Sequence, residues 1–140
     1  MTQHPAPGIP RLLAAMLYDL ILLIGILLLA TTLVVIPLNI SYASTTLDGN
    51  PLFQLYLVAV IILFYTWFWS HGGQTLGMRT WKIRVVSRSG EPLSLLQAFK
   101  RLLLAVITLA PAGLGLWWKI IDRESQTLYD RLAGSRLIRL

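Results

Sequence analysis

The sequence predicts an α-helical integral membrane protein. It has two full transmembrane helices, a short broken third segment (a re-entrant hairpin or a kinked span) and a small cytoplasmic β-hairpin-like sheet. Three observations predict this class. Of the 140 residues, 56% are hydrophobic and only 13% are charged, against roughly 25% charged in soluble domains. The apolar residues are gathered into runs, which gives a mean hydropathy of +0.68. Basic residues flank those runs, so the net charge of +6 reads as membrane topology and not as affinity for nucleic acid. The length leaves room for one domain, divided as helix 12–36, helix 52–70, cytoplasmic loop 71–101, broken segment 102–121 and cytoplasmic tail 122–140.

The first run, Leu12 to Ile36, has 25 residues, enough to cross a hydrocarbon core of about 30 Å with some tilt. It is too long for a signal-peptide core, and no small-residue cleavage site follows it. Asp19 lies about two helical turns inside it. A carboxylate among lipid tails costs several kcal/mol, so it faces a protein interior or a water-filled cavity. Arg11, Ala15 and Asp19 are spaced i, i+4, i+8 with Tyr18 beside them, forming one slowly drifting stripe. At 1.5 Å per residue, Asp19 is about 12 Å deeper than Arg11, too far for contact unless Arg11 bends inward. The expected partner of Asp19 is an arginine, with Arg101 ahead of Arg11. Arg11 itself reads as an interfacial anchor that snorkels.

The second run, Leu52 to Ser70, ends in Tyr65, Trp67, Phe68 and Trp69, an interfacial aromatic cluster. The loop before it, Pro37 to Pro51, carries Asp48 and no Lys or Arg, whereas residues 71–101 carry Arg79, Lys82, Arg84, Arg88, Lys100 and Arg101. The positive-inside rule puts the first loop outside, and the N-terminus and second loop inside. Asn39-Ile-Ser41 in this loop fits a glycosylation acceptor. Within the second loop, Trp81-Lys-Ile-Arg-Val-Val-Ser alternates as a strand does, Arg88-Ser-Gly-Glu-Pro92 is a turn, and Ser94-Leu-Leu-Gln97 has capping-box spacing.

The third run, Leu102 to Trp118, is 17 residues long and holds Pro111, Gly113 and Gly115. The tail that follows is basic (Lys119, Arg123, Arg131, Arg136, Arg139). Three complete spans would put it outside, against the charge bias. A re-entrant hairpin turning at Ala110–Gly113 returns it to the cytoplasm and is preferred to a kinked span, since broken helices at membrane depth are tolerated against protein. Gln126 to Gly134 reads as a short surface helix stopped by glycine, with Leu128 and Leu132, and Tyr129 as a third candidate, toward the membrane interface. Ser135 to Leu140 alternates again and pairs with the earlier strand. Asp130 then sits on this cytoplasmic platform as a cap or salt bridge, bound by a nearby arginine or by the N–H groups of the Gly73–Arg79 turn. Asp122 and Glu124 read as solvated charge beside Arg123.

These pieces together resemble the RDD family of small bacterial membrane proteins. The resemblance rests on Arg11-Leu-Leu-Ala-Ala-Met-Leu-Tyr-Asp19, Gly73-Gln-Thr-Leu-Gly-Met-Arg79, Lys82-Ile-Arg-Val-Val86, Gly90-Glu-Pro-Leu-Ser94, Arg101 and Thr127-Leu-Tyr-Asp130-Arg-Leu-Ala-Gly134. Tyr129 stands where many members have His, and Ser135 where Thr is common. The resemblance implies Arg11, Asp19 and Asp130 as the name-giving residues, with Tyr18, Gly73, Gln74, Gly77 and Arg101 as secondary candidates. It also implies the bacterial inner membrane, and transport, with some members looking like cation/proton antiporters.

Other chemistry is not legible. Gly73 and Gly77 lack the lysine of a phosphate loop and shape the exit from the second helix. His4 and His71 have no ligand partners, so no metal or cofactor is expected. No cysteine is present, and no Ser-His-Asp or paired-carboxylate set suggests an enzyme. Two classes remain. In the first, the chain is a transport component for an ion or small ligand with Asp19 as its intramembrane polar site; so few helices then imply a homo-oligomer or a larger membrane partner. In the second, it is a non-transporting interaction or assembly module. The lipid bilayer is a partner in both.

Overall fold

The computed structural model describes residues 4–41, 47 and 49–140, with the backbone alone at 39–41. The side chains of the Asn39-Ile-Ser41 sequon, and Asp48, lie outside the described residues. Six helices and one two-stranded sheet are described: α1 (Ile9–Ser41), α2 (Pro51–Ser70), α3 (Leu76–Thr80), β1 (Ile83–Ser87), α4 (Leu95–Leu109), α5 (Leu114–Ile121), α6 (Leu128–Ala133) and β2 (Ser135–Arg139).

α1 runs further than the expected 12–36. Pro10 falls in its first turn, where a missing N–H is harmless, and Pro37 is accommodated inside it. α2 starts where Asn50 caps it, accepting from the N–H groups of Leu52 (2.9 Å) and Phe53 (3.3 Å) with Pro51 following. The two helices run antiparallel, tied near the connecting loop by the Tyr56 hydroxyl donating to Ala30 O at 3.2 Å. Both are long and apolar enough to cross a membrane, and only 11% and 17% of their apolar stretches are buried. Leu17, Leu28, Leu33, Leu52 and Leu63 are all exposed. Uninterrupted apolar exposure on this scale is what a lipid solvent requires.

α4 opens at the expected capping box, with Gln97 N donating to Ser94 Oγ and Ser94 N to Gln97 Oε1. The stretch 95–101 is therefore helix, not loop. Its 15 residues rise only about 22 Å, short of a hydrocarbon core. The break comes at the expected turn, where Ala112 and Gly113 adopt left-handed backbone. α5 then leaves at 92° to α4, so the third segment is broken as expected, with a bend that fits a re-entrant segment or a broken span.

The tail comes back to the beginning of this excursion. β2 pairs antiparallel with β1 in the register Ile83↔Arg139 to Ser87↔Ser135. The pair is not a hairpin, because α4, α5 and α6 lie between the strands. Their outer edges are closed by side chains and loops. On β1, Gln74 Nε2 donates to Ile83 O (2.7 Å) and Val85 N donates to Gly73 O (2.7 Å). On β2, Gln126 accepts from Leu137 N (2.8 Å) and donates to Leu137 O (3.3 Å), and Arg139 N donates to Pro5 O (2.9 Å). N-terminus, sheet and C-terminus thus meet at one end of the molecule. The core lies there too, where Leu12, Ala15, Trp69, Met78, Leu93, Leu102 and Leu116 pack on Ile83, Val85 and Leu137.

Replacing Gln126 with Leu leaves the buried N–H and C=O of Leu137 unpaired, a loss of about 1–3 kcal/mol. The expected outcome is faster amide exchange along 135–139 with unchanged exchange in α2, measured by mass spectrometry in detergent.

Candidate functional site

Asp19 and Asp130 are both buried at the end of the molecule that carries the sheet, and their surroundings differ. Asp130, fully buried, is gripped by Arg101 through two parallel bonds, Nε to Oδ1 at 2.6 Å and Nη2 to Oδ2 at 3.2 Å. The hydroxyls of Thr127 and Ser135 donate to the same carboxylate. Thr127 is also the N-cap of α6 and accepts from Asp130 N at 3.3 Å, so residue and cap bond each other reciprocally. The Arg101 guanidinium lies between two rings, 4.1 Å from the Trp69 centroid and 5.1 Å from that of Tyr129, an arrangement favourable to a desolvated cation. Tyr129 is buried to 1% exposure, so it does not face the membrane interface. That burial holds its phenol above the usual range.

Asp19 is 4% exposed and has no arginine. Its Oδ2 accepts from the Thr75 hydroxyl and its Oδ1 from Gly77 N at 2.8 Å. No ion pair reaches it among the described residues. Asp130 has an arginine, the first of its two expected partners, while Asp19 has none of the arginines expected for it. Arg101 goes to Asp130, and the Gly73–Arg79 turn goes to Asp19. The reason is steric as well as electrostatic. A Cβ on Gly77 would stand 2.4 Å from Ala15 O and 2.9 Å from the Asp19 carboxylate, so a glycine there lets α3 lie directly against α1. Thr75 caps α3 through Met78 N (3.2 Å) and presents the same hydroxyl to Asp19.

Arg11 holds the other end of this turn, donating to Trp81 O at 3.0 Å. Arg11 and Asp19 therefore do not meet, yet both grip one short segment: the acid takes its Thr75 hydroxyl and Gly77 N–H and the base its last carbonyl. Gly73 packs on β1, where a Cβ would fall 2.2 Å from Val85 O, and Gln74 closes the edge of that strand. Tyr18 is 43% exposed on the outer side of α1 and away from the site. Asp122 is not solvated. Its side chain is 3% exposed, pairs with Arg131 at 3.1 Å and accepts from Glu124 N and Gln126 N. Lys119 is buried rather than part of the basic surface, its amine donating to Ser125 O.

Asp19 and Arg101 line one cavity of about 340 Å³ between α1, α2 and α4, together with Tyr65, Trp69 and Tyr129 and a largely aliphatic wall. The residues brought together here include several that sequence reasoning missed: Thr75, Trp69, Thr127, Ser135 and Gln126. Thr127-Leu-Tyr-Asp130 has the spacing of a capping box, a signal that would have found Thr127. Nothing local marks the others.

The family model for the RDD family matches residues 5–134. The chain belongs to the RDD family. No curated protein and no solved structure matches it. In this RDD chain Arg11 and Asp19 hold the 75–81 turn, and Asp130 holds Arg101.

Asp130→Ala strands the Arg101 guanidinium in a buried position and is expected to destabilise the protein by roughly 3–5 kcal/mol, whereas Arg101→Met with Asp130→Leu recovers most of that loss. Thermal unfolding of both variants in detergent checks the difference.

Proposed function

We propose that this RDD protein is a multi-pass component of the bacterial inner membrane that takes part in the transport of an ion or small ligand, with Asp19 as its intramembrane polar site. One observation carries the reading: Asp19 is a buried carboxylate whose bonds come from neutral donors, on the wall of a 340 Å³ cavity. An uncompensated charge at membrane depth costs several kcal/mol, and a proton or a bound cation relieves that cost. Asp130, by contrast, is neutralised by Arg101, which suits a structural role. A chain with two to three possible spans encloses no pathway alone, so the active form is a homo-oligomer or includes a larger membrane partner. The protein is not an enzyme in this reading.

The proposed topology places both termini in the cytoplasm. The contacts Arg139 N to Pro5 O and Leu140 N to Lys82 O put tail, N-terminus and second loop on one side, and these segments carry the basic residues that the positive-inside rule retains there. The chain has no cysteine, so Arg139→Cys gives a clean probe. It is expected to stay unlabelled by an impermeant maleimide in intact cells and to react after lysis. Reaction before lysis would place the tail outside.

The second reading, an assembly module, is favoured by the full satisfaction of the Arg101–Asp130 pair. Flux in proteoliposomes separates the two. Transport under an imposed ion or proton gradient is expected from the native chain and is expected to be lost in Asp19→Asn, which keeps an oxygen for Gly77 N. Flux that survives this change removes Asp19 from the coupling role, and no flux under any gradient favours the module.

A further inference from the structure

We infer that the cavity between α1 and α4 binds an amphiphilic organic cation, an alkyl chain ending in an ammonium group, with the ammonium on Asp19 and the chain along the aliphatic wall. This rests on the proposal that Asp19 is the ligand-binding polar site and names the class of ligand it takes.

The size and lining of the cavity point away from a bare inorganic cation. One water occupies about 30 Å³ in the liquid, so a space of about 340 Å³ far exceeds a dehydrated metal ion. A hard cation collects about six oxygen ligands, yet no group of three or more His, Cys, Asp or Glu is found among the described residues. Around Asp19 the wall is instead Leu12, Met16, Leu20, Leu102, Val106 and Leu109. A mostly apolar surface with one carboxylate matches a molecule that is mostly hydrocarbon with one positive charge.

Charge and aromatic surface agree with that sign. Asp19 and Asp130 against Arg101 leave one net negative charge, and Arg101 is already bound to Asp130, so the unneutralised charge facing the cavity is that of Asp19. Tyr65 also lines the cavity. Arg101 lies over Trp69 and Tyr129, and Tyr65, packed on Trp69 and Phe64 at 5.1 Å between ring centroids, completes an aromatic side of the cavity of the kind that attracts a methylated ammonium. The entrance is lateral. Leu20 on α1 and Val106 on α4 line the cavity and are 50% exposed (Leu20) and, on the other rim, surface-facing. An amphiphile dissolved in the bilayer therefore reaches Asp19 without first crossing the polar end of the molecule.

The test uses the full chain in nanodiscs, with empty nanodiscs subtracted, and hexyltrimethylammonium as probe in equilibrium binding. Saturable binding is expected, weakened about tenfold or more in Asp19→Asn. Ala105→Phe, which fills the cavity while leaving Asp19 in place, is expected to weaken it as well, with elution profile and melting followed to confirm folding. Hexanol and hexanoate should not compete at equal concentration, and neither should sodium. Absent saturable binding, full binding by Asp19→Asn, or equal displacement by sodium or hexanol overturns the inference. Asp19-dependent ion flux without alkylammonium binding removes this ligand class and leaves the transport reading standing. Asp19-dependent binding without flux of any kind removes transport and leaves the site.

Discussion

The fold turns on one buried ion pair, Arg101 with Asp130. Taking both charges out of water costs several kcal/mol per ion, and their attraction offsets that only with good geometry and further bonds. Here the carboxylate receives a two-point grip and two hydroxyls, while the guanidinium lies between two aromatic faces. Those groups come from α2, α4, α6 and the first residue of β2. Completing the pair therefore draws four elements together. It also fixes the path of the chain: α6 has to return to the first half of α4, so the helix that leaves α4 cannot continue straight. The right-angle break at 110–113 supplies the return, and Gly115 lets it close, since a Cβ there would stand 2.4 Å from the Thr108 hydroxyl.

The second station is built on the opposite logic. Asp19 receives a hydroxyl and a backbone N–H, which fix its orientation without cancelling its charge. α3 is the device that makes this possible. It is one turn long, capped by the threonine that also binds the carboxylate, seated by a glycine against α1 and held at its far end by Arg11. Two aspartates thus sit in one core with different chemistry, one compensated and one open to a cavity.

Much of this architecture was legible in the residues. The apolar runs gave α1 and α2, the Ser94 box gave the start of α4, alternation gave both strands and their pairing, and Ala110–Gly113 gave the break. α1 is longer than the apolar run 12–36 because the helix does not end where the hydrophobic residues do: Pro10 sits in its first turn and Pro37 is carried inside it. The partners of the carboxylates were not legible. The stripe of Arg11, Ala15 and Asp19 identifies a face of a helix, but a face does not say which distant segment covers it. Asp19 and Thr75 are 56 residues apart, and Arg101 and Asp130 are 29 apart. What could have tipped the assignment was glycine: Gly77 leaves room for backbone to approach a helix, and backbone brings N–H donors rather than a guanidinium. Asp122 was misread for the related reason that charge beside Arg123 in sequence says nothing about Arg131 in space.

The separation of roles between the two aspartates has a further physical consequence. A site that must exchange its occupant cannot be closed by a permanent cation, because a guanidinium does not lose its proton in a protein. Had Arg101 paired with Asp19, the carboxylate would have been neutralised for good and the cavity would hold a balanced pair with nothing to recruit. Giving Arg101 to Asp130 keeps that cation in the cavity wall, against Trp69 and Tyr129, yet leaves Asp19 without a permanent counter-ion among the described residues, as its proposed role requires. Neutral donors suit the role proposed for such a group, since they fix its orientation without cancelling its charge. The same pair that forces the tail back toward α4 therefore also sets the electrostatics of the cavity beside it, which ties the integrity of the fold to the chemistry proposed for Asp19.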